Sequence, residues 1–515
     1  MTRRILLLYP RLGNAYWFGT YEPLALEIFS AIAKEEDCEV RLLDLRWERS
    51  DAPQRLIASG WIPDLVATTT HGYTEVGIVN DLLRALRPLL PEAVFIVGGI
   101  PATLRPDLLD HAVVDVICRG PGERLWRTWC QAGLERSGSC LEIKDVKPPR
   151  EFVFPRPDRE ITAKYRRHYR TYIPNHTGKA WGPTGFTMLT QGCPFRCSFC
   201  VIWPANLGLY RRRRVDQALD ELRSMKEDYI YFGDDNAFCD DGFARELAEA
   251  LIATDLRKTF SSYCRADHIC KHPETLRLWH RAGLRYLVIG VEAIDDTTLM
   301  DVNKACDHDT NTKALAILQE IGIQPIPHLL LTPDMTAEDF DRFEDYVLDN
   351  GFAYPTLVPL TPLPGTEDFE RYADRIVTDD LSYYNFMYMV VEPKHMTLRQ
   401  WHARFDRLYQ RIWSWRRFLR SRSRGPVSFM AFVKWWLFVR LLIPQLRWRR
   451  RQLYAMQARY PTPAMRKTAF SKLLWGEREP EQDRNHQLVV AGPTIPRSTN
   501  VEPCCVATTQ ELHPC

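Results

Sequence analysis

The first residues in this sequence that could do chemistry are three cysteines within QGCPFRCSFC, namely Cys193, Cys197 and Cys200. Thiolate sulfur is a ligand for zinc and for iron–sulfur clusters. A structural zinc site normally takes four protein ligands, yet the next cysteine, Cys239, lies 39 residues beyond Cys200. A 4Fe-4S cluster held by three thiolates keeps one iron open for a substrate. The spacing therefore favours such a cluster, and a zinc-stabilised interaction protein is the alternative.

The elements that must position these cysteines alternate between strands and helices. Apolar stretches recur between residues 184 and 375 with helical segments between them, and the cysteines follow the first stretch. This alternation predicts a partial (β/α)6 barrel of the TIM type, whose active site lies at the carboxyl ends of its strands. The predicted strands are GFTMLTQG, YIYFGDD, FSSYCRAD, YLVIGVEA, QPIPHLLL and TLVPLTPL.

Residues 1–135 carry a second alternation of apolar strands and amphipathic helices. It predicts an N-terminal α/β domain with a Rossmann-like, doubly wound parallel sheet. Such sheets bind ligands beyond the carboxyl ends of their strands, where glycine allows a bulky group to approach the backbone. Small or flexible residues stand at these ends: Thr69, Thr70, His71, Gly98, Gly99, Gly120 and Gly122.

The remaining segments are a linker, a basic helical region and a tail. Residues 136–183 are rich in Pro, Arg and Lys, which predicts a linker. Residues 376–460 are predicted to form a Trp-rich helical C-terminal region. Within it, residues 399–451 hold 14 arginines and Lys434 against Asp406 alone, a net charge of +14 in a chain whose total is +3. Residues 461–515 are predicted to form a polar tail, which we expect to be flexible.

A C-x3-C-x-aromatic-C motif just after the first strand of a β/α barrel resembles the radical S-adenosylmethionine (SAM) superfamily. The resemblance implies that the open iron chelates the amino and carboxylate groups of SAM, and that Phe199 lies near the adenine. YFGDD resembles the acidic glycine motif that the family carries on its second strand. This implies that the methionine amino group is held by Gly233, Asp234 and Asp235.

Charged residues stand at the ends of the third and fourth predicted strands, and the same resemblance implies that they contact SAM. Arg265 and Asp267 follow the third strand, and Glu292 ends YLVIGVE. These positions correspond to the residues with which the family contacts the SAM carboxylate or ribose. Pairing of Arg265 or Glu292 with another charge of the barrel is the alternative for each.

A doubly wound domain ahead of such a barrel resembles the cobalamin-binding subgroup of the superfamily. The glycine pair in AVFIVGG and the segment RGPGE repeat the pattern of that subgroup, which implies cobalamin contacts from Arg119 and Glu123 beside the glycines. The D-x-H-x-x-G loop that supplies a lower histidine to cobalt in many corrinoid proteins is absent. We therefore expect His71 to have a loop or ribose contact and cobalt to lack a histidine ligand. A Rossmann-like domain without a cofactor is the alternative.

For this subgroup, the resemblance implies reductive cleavage of SAM, removal of a hydrogen atom from an unactivated carbon, and transfer of a methyl group from cobalamin. A flavodoxin or ferredoxin type of donor would supply the electrons. Within the subgroup, LLLTPDMTAEDF, PLTPLPGTEDFE and LSYYNFMYMVVEPKHMTLRQWHARFDRLY resemble the hopanoid C-3 methylases, which implies ring A of a hopanoid as the lipid-like substrate.

Two other enzymes remain as alternatives. A tetrapyrrole-modifying radical SAM enzyme, such as the anaerobic oxidative ring cyclase, has the same order of domains. A tRNA-modifying methylthiotransferase would use the basic region to bind phosphates. Those methylthiotransferases hold a second cluster through three N-terminal cysteines, whereas the N-terminal cysteines here fall in predicted strands, helices or the linker. Nucleic acid is therefore not expected as a partner.

The sequence predicts a cytoplasmic protein, with a possible peripheral position at the inner membrane. No stretch reaches the ~18 uninterrupted apolar residues of a membrane span, and scattered cysteines fit a reducing compartment. The helix FMAFVKWWLFVRLLIPQLRWRRRQLY mixes tryptophans, arginines and long apolar residues, as helices in a membrane interface do. Packing of this helix over the barrel is the alternative. The sequence does not indicate a role for three cysteines of the tail, Cys504, Cys505 and Cys515.

Overall fold

The computed structural model of the chain describes residues 2–11, 19–136, 138–144, 155–171, 182–415, 418–419 and 429–475. It contains two six-stranded parallel sheets, one after the other along the chain, and then a group of helices. The predicted fold class is confirmed: an N-terminal doubly wound domain, a partial barrel and a helical C-terminal region follow one another.

The N-terminal domain is built on one parallel sheet. Its strands, with two short strands that pair separately, are β1 (Arg4–Tyr9), β2 (Gly19–Thr20), β3 (Glu39–Asp44), β4 (Leu65–Thr70), β5 (Val94–Gly99), β6 (Val116–Arg119), β7 (Leu141–Lys144) and β8 (Arg170–Thr171). The sheet order is β3-β1-β4-β5-β6-β7, while β2 pairs with β8. The strand order reverses between β1 and β4, and sheets of this class bind ligands at that point.

Helices cover this sheet and bury its apolar strands on both faces. Leu6, Leu7 and Leu8 of β1 are fully buried as a result. The helices are α1 (Leu24–Glu35), α2 (Ala52–Ala58), α3 (Val76–Leu86), α4 (Ile100–Leu104) and α5 (Glu123–Ala132), with short 3-10 turns at Tyr73–Glu75, Arg87–Leu89, Pro106–Leu108 and Ala163–His168.

The N-terminal sheet extends past the predicted boundary at residue 135. β7 lies in the segment predicted as a linker, and it pairs in parallel with β6 from Leu141 to Lys144. Leu141 and Ile143 alternate with charged residues, which is the pattern of a half-buried strand. The strand is only 4 residues long, so the surrounding Pro-rich composition outweighs its signal in the sequence.

The barrel domain contains the second parallel sheet, in the order β16-β15-β14-β13-β12-β9. This order follows the chain, so the sheet is an open barrel of six strands. Its strands, with a short antiparallel pair, are β9 (Thr184–Thr187), β10 (Thr190–Gln191), β11 (Arg211–Arg212), β12 (Tyr229–Phe232), β13 (Thr259–Cys264), β14 (Leu284–Glu292), β15 (Gln324–Leu331) and β16 (Thr356–Pro359).

Amphipathic helices pack on the outside of the barrel. One begins with the predicted capping box, in which Thr336 and Asp339 each accept the backbone N–H of the other. The helices are α6 (Ile202–Ala205), α7 (Val215–Ser224), α8 (Asp241–Ile252), α9 (Ala266–Lys271), α10 (Pro273–Ala282), α11 (Asp296–Asp301), α12 (His308–Ile321), α13 (Ala337–Asp349) and α14 (Glu367–Arg371), with 3-10 turns at Ala373–Arg375 and Leu381–Tyr383.

A buried charge cluster joins the two domains. Arg159 lies within 3.3 Å of Glu22 and 3.4 Å of Glu27 in the N-terminal domain, and within 2.6 Å of Glu221 on α7. It also donates to the carbonyl of Phe186 on β9 at 3.0 Å. The predicted linker therefore contributes the cation that holds the barrel against the N-terminal domain.

The basic C-terminal region packs against the barrel through one side. It consists of α15 (Leu398–Ile412), α16 (Phe429–Arg459), α17 (Pro463–Ala469) and α18 (Ser471–Trp475). The Asp406 carboxylate on α15 forms salt bridges with two arginines of α16, with Arg450 at 2.6 Å and with Arg447 at 2.8 Å. Opposite this contact, the side chains of Leu437, Leu441 and Trp448 are half exposed or more.

Two features of the predicted C-terminus differ from expectation or fall outside the structure. α17 and α18 occupy the first part of the segment predicted as a tail. Residues 476–515, including Cys504, Cys505 and Cys515, lie outside the described residues. Among the helices of the described ranges, none combines the length and apolar character that crossing a membrane requires.

Candidate active site

The three cysteines lie in the loop between β10 and α6. The chain leaves β10 at Gly192, where a φ of +85° and the nearby Leu209 carbonyl leave no room for a Cβ. The Gly192 N–H donates to Asp235 Oδ2 at 2.8 Å, and the Ser198 N–H donates to the Val302 carbonyl at 3.1 Å. The loop is thereby fixed to the segments that follow β12 and β14, at the carboxyl edge of the barrel.

The thiols of this loop are buried close enough together to affect one another. Burial raises the pKa of Cys193, Cys197 and Cys200, that of Cys200 to about 12, and the charge of Cys197 raises the pKa of the other two further. Lys304 and Arg265 act in the opposite direction and lower the pKa of Cys197. A metal ligand must be the thiolate, so these two cations favour the form that binds metal.

A buried ion pair lies beside the cysteine loop. Glu292, the last residue of β14, has a φ of +63°, and its carboxylate accepts from Lys304 Nζ at 2.8 Å. The two side chains are only 10% and 7% exposed. The Glu292 carboxylate and the Lys304 ammonium occupy the space that a Cβ on Gly290 would take. A non-glycine residue at positive φ is strained, and such strain is concentrated at functional sites.

Arg265 connects this ion pair to the cysteine loop. Its guanidinium lies 3.5 Å from the centroid of the Phe195 ring. Its Nε donates to Asp267 at 2.9 Å, and its Nη2 donates to the Lys304 carbonyl at 2.7 Å. Arg265 therefore has a fixed place beside the cysteines, with Asp267 as its counter-ion.

The acidic glycine motif after β12 divides between two environments. Asp234 is fully buried and accepts the backbone N–H and the hydroxyl of Thr190, each at 2.5 Å. Asp235 instead lines a cavity between the domains. Burial raises the pKa of Asp234 to about 6 and that of Asp235 to about 7. A Cβ on Gly233 would collide with the Phe186 ring. Asp234 thus anchors the turn ahead of the cysteines, and Asp235 faces open space.

The cavity has a volume of about 380 Å³ and lies at the carboxyl edge of the N-terminal sheet. Phe186, Gly233 and Asp235 form its wall on the barrel side. Gly99 turns the chain at the end of β5 with a φ of +106°, and a Cβ there would collide with the Thr70 carbonyl. Six of the residues predicted at the strand ends line this cavity, together with the predicted ligand contact Glu123: Thr69, His71, Gly98, Gly99, Gly120 and Gly122.

Two predicted residues of the N-terminal domain have other contacts. The Thr70 hydroxyl donates to the Gly98 carbonyl at 3.1 Å across the sheet. The Arg119 guanidinium donates to Glu142 of β7 at 2.8 Å. Both side chains hold the sheet together, and neither is part of the cavity lining.

Aromatic side chains lead from this cavity into the barrel. Tyr21 stacks on Phe186 and on Tyr231, with centroid distances of 5.3 and 4.8 Å. Tyr231 meets Tyr263 edge-on at 6.0 Å, and Tyr263 meets His328 edge-on at 5.9 Å. Burial lowers the pKa of His328 to about 4, so its imidazole is neutral at neutral pH. The path is therefore aromatic and uncharged along these five side chains.

Sequence reasoning missed three residues beside the cysteines: Phe195, Asn236 and Lys304. Asn236 directly follows the predicted acidic motif, and its Nδ2 lies 3.8 Å from Cys193 Sγ. Phe195 lies within the cysteine motif, while no pattern marks Lys304 in the turn after α11. Phe199, predicted near the adenine of SAM, is partly buried against the barrel core.

Two sequence profiles of known domains match this chain. The profile of the Radical SAM superfamily matches residues 187–347, and that of the B12 binding domain matches residues 11–127. The chain thus contains a B12-binding domain and a radical SAM domain. Its B12-binding domain precedes the radical SAM barrel, in the order that the sequence analysis predicted.

Several known proteins resemble the chain at low sequence identity. Hopanoid C-3 methylase of Methylococcus capsulatus is 29% identical over 344 residues, which are 64% of this chain and 65% of that protein. The chain thus matches somewhat less than two thirds of that relative's length. Bacteriochlorophyllide d C-12(1)-methyltransferase of Chlorobaculum tepidum is 23% identical over 74% of this chain and 84% of its own.

A solved structure shares the fold. TsrM, a radical SAM methyltransferase from Kitasatospora setae with cobalamin and a 4Fe-4S cluster bound, is 18% identical and superposes with a TM-score of 0.56. The superposition covers 73% of this chain and 78% of TsrM. At this identity the similarity concerns the architecture.

The radical SAM domain implies a 4Fe-4S cluster and SAM, and the B12-binding domain implies cobalamin. The residues of the chain fit these groups. One buried and two partly buried thiols beside two cations are a suitable donor set for the cluster. The turn at Gly98 and Gly99 exposes main chain without side chains to a cavity at the carboxyl edge of the sheet, where a large planar ligand can approach.

Proposed function

We propose that the chain is a cobalamin-dependent radical SAM methyltransferase that methylates an unactivated carbon of a lipid-like substrate, namely C-3 of a hopanoid. One observation carries the proposal: a single cavity is lined by the glycines of the B12-binding domain and by Gly233 and Asp235 of the barrel. A methyl donor in the first domain and a substrate in the second would therefore face each other. The relative that methylates hopanoids at C-3 supports the choice of substrate.

We assign the 4Fe-4S cluster to Cys193, Cys197 and Cys200, with one iron left for SAM. Around it, the proposed SAM contacts are the Gly233 backbone, Asp235, Arg265 and Glu292, with Phe199 beside the adenine. Asp234 contributes by holding the turn at Thr190 ahead of the cysteines. Bound together, the cluster and SAM supply an oxidant able to remove hydrogen from an unactivated carbon.

We assign cobalamin to the cavity lined by Gly98, Gly99, Gly120, Gly122 and their neighbours. Thr69, His71 and Glu123 are the polar side chains that line it, while Thr70 and Arg119 support the sheet behind it. His71 has no cobalt-ligating role in this proposal, in line with the missing D-x-H-x-x-G loop. We also propose the following division of the chain. The cobalamin-binding domain comprises residues 1–135 together with β7, a linker runs to residue 183, and the barrel spans residues 184–375, followed by the helical C-terminal region.

The protein side chains orient the reactants and exclude water in this proposal. The strained Glu292 and its partner Lys304 place a charged pair beside the cysteine loop without exposing it to solvent. Arg265, fixed by Asp267 and Phe195, keeps a positive charge near the thiolates. Such preorganised charges act strongly because the site is shielded from bulk water.

The interior of the barrel supports an apolar substrate. Tyr231, Tyr263 and His328 continue the aromatic contacts of Phe186 into the barrel, and His328 is neutral. Aromatic rings offer large contact areas to a rigid apolar ring system without requiring ionic partners.

The exposed face of α16 supports delivery of such a substrate from a membrane. Leu437, Leu441 and Trp448 lie on one stripe of the helix and are 50%, 60% and 62% exposed. Arg440 and Arg447 are exposed beside them. Apolar side chains flanked by arginines suit an interface of anionic lipids. We propose a peripheral position at the inner membrane through this face.

Liposome binding tests the membrane proposal. Substituting Leu441→Glu and Trp448→Glu together should reduce co-sedimentation with anionic vesicles by at least tenfold, because the stripe loses its apolar contact. The control Met300→Glu, at an exposed position on α11, should bind as the parent does. Equal binding of all proteins, or preference for transfer RNA over anionic vesicles, would contradict this part of the proposal.

Product analysis tests the reaction itself. The protein is reconstituted anaerobically with iron, sulfide, methylcobalamin, SAM and a reductant, and incubated with a hopanoid. Mass spectrometry should show a hopanoid heavier by one CH2 unit and 5′-deoxyadenosine. Cys197→Ser should abolish both products, whereas Cys239→Ser should keep both. Deoxyadenosine formation by Cys197→Ser would show the assignment to be wrong.

A tetrapyrrole is the second candidate substrate. It is favoured by the bacteriochlorophyllide methyltransferase, which aligns over more of its own length than the hopanoid methylase does. The aromatic path could also stack on a planar macrocycle. The same assay with a bacteriochlorophyllide in place of the hopanoid decides between them, because only the true substrate should gain mass.

A further inference from the structure

Two histidines and an aspartate converge among the helices that follow β12 and β13. His268 lies on α9, and His272 follows four residues later between α9 and α10. The two rings are 4.8 Å apart between centroids. Asp241, the first residue of α8, approaches them, and its Oδ2 lies 3.3 Å from His272 Nδ1. The three side chains come from α8, from α9 and from the junction of α9 with α10, which no sequence pattern linked.

The distances within this group match the requirements of one metal ion. One ligand atom from each residue lies within 4.8 Å of the other two. A tetrahedral ion with bonds of about 2.0–2.1 Å holds neighbouring ligand atoms roughly 3.3 Å apart, as Asp241 and His272 are. Imidazole nitrogen and carboxylate oxygen together are ligands typical of zinc and related ions. All three residues are half buried, so an ion could enter from solvent.

A second observation also points to a missing partner. Nε2 of His268 is buried and has no hydrogen-bond partner among the described residues. A buried polar atom without a partner costs free energy, so a bound ligand there would remove the penalty. The other oxygen of the Asp241 carboxylate accepts from the Thr275 hydroxyl at 2.6 Å. Outer contacts of this kind orient metal ligands in proteins.

We propose that Asp241, His268 and His272 bind a divalent transition-metal ion, with water completing its coordination. The ion would fasten the start of α8 to the junction of α9 and α10. These are the segments that follow β12 and β13, and α9 begins directly after Arg265. Its role is therefore structural: it holds the loops that carry the acidic glycine motif and Arg265. The proposal does not depend on the reaction proposed above.

Zinc binding by the full chain, with its iron–sulfur cluster reconstituted, tests this site. After addition of zinc and desalting, the parent protein should hold about one zinc per chain. Zinc-edge X-ray absorption should show only nitrogen and oxygen donors at about 2.0–2.1 Å. His268→Ala and Asp241→Asn should each lower the zinc affinity at least tenfold in competition with a chromophoric chelator. His395→Ala, at an exposed histidine in the C-terminal region, is the control and should bind zinc as the parent does.

Thermal denaturation supplies the second measurement. Zinc should raise the melting temperature of the parent and of His395→Ala, because a ligand that binds only the folded state stabilises it. It should leave that of His268→Ala unchanged. The iron content of each variant shows whether it has folded. Unchanged affinity in folded His268→Ala and Asp241→Asn, or sulfur donors at about 2.3 Å around the zinc, would overturn the proposal.

Discussion

Loss of the buried lysine beside the cysteine loop should destabilise the barrel strongly. Lys304 is 7% exposed, and its ammonium lies 2.8 Å from the Glu292 carboxylate, itself 10% exposed. Lys304→Met keeps most of the volume of the side chain and removes its charge. The carboxylate of Glu292 would then be buried without its counter-ion, and its strained backbone at the end of β14 would lose a tether.

The magnitude follows from the cost of an unpaired buried charge. Breaking a buried ion pair from one side costs about 3–5 kcal/mol. Burial and the nearby Arg265 lower the pKa of Lys304, while Glu292 raises it and outweighs them, so loss of the lysine also relieves a repulsion between two cations. We therefore expect the lower end of the range, about 3 kcal/mol. The double variant Glu292→Gln, Lys304→Met removes both charges and should recover most of this loss, because no charge is left unpaired.

Urea unfolding measures the effect. With a slope of about 1–3 kcal/mol per molar urea, 3 kcal/mol lowers the midpoint of the barrel transition by roughly 1–3 M. The double variant should unfold close to the parent. Lys226→Met is the matched control, because Lys226 pairs with Glu160 at 3.7 Å on the exposed surface, and its midpoint should not move measurably. A midpoint for Lys304→Met equal to that of the parent would refute the reasoning, as would a double variant no more stable than the single one.

Three further predictions concern other parts of the molecule. Gly99→Ala should cost about 1–3 kcal/mol of stability and weaken cobalamin binding, because a Cβ at φ +106° would collide with the Thr70 carbonyl. Burial lowers the pKa of His328 from 6.5 to about 4, so the unfolded chain takes up the proton first as pH falls. The free energy of unfolding of the parent protein should therefore fall as the pH is lowered from 6.5 to 4. This fall should be about 3 kcal/mol larger than in His328→Gln, which lacks the titrating imidazole. Asp406→Asn leaves buried Arg450 without its counter-ion and should cost about 3 kcal/mol, with faster proteolysis of α16.

Each of these predictions has a matched control. Gly77→Ala, where a Cβ meets nothing within 4 Å on α3, should not weaken cobalamin binding, measured by absorbance titration. His395→Gln, at an exposed histidine, should leave the acid dependence of urea unfolding unchanged. Asp374→Asn, whose partner Lys467 is exposed, should not speed proteolysis. If a control changed cobalamin binding, acid dependence or proteolysis as much as its matched variant does, burial and backbone strain would not be the causes of the effects.

The architecture could be predicted from the sequence because its signals are local. Most strands of the two sheets are short apolar runs, and both parallel sheets follow from the alternation of these runs with helices. β7 was not predicted because a strand of only four residues in a Pro-rich segment carries little periodic signal. The resemblance also led to the cluster, SAM and cobalamin, and the domain profiles agree with those cofactors.

The details of the site depend on contacts between distant parts of the chain. Lys304 reaches Glu292 from a turn after α11, and Arg265 stacks on Phe195 from another strand. The sequence alone could not distinguish the roles of two adjacent acidic residues. The Asp234 carboxylate accepts a hydrogen bond from the Thr190 hydroxyl, whereas Asp235 lines the cavity. Such side-chain pairings are set by packing in three dimensions, so spacing alone could name candidates without assigning their partners.

Mössbauer spectroscopy of protein reconstituted with 57Fe tests the central claim most directly. The claim is that three cysteines hold a 4Fe-4S cluster and leave one iron for SAM. We predict about four irons per chain, and the spectrum of one of them should change when SAM is added while the other three stay alike. Cys239→Ser should give the same result. Four equivalent irons that do not respond to SAM, or a chain that binds no iron, would contradict the account.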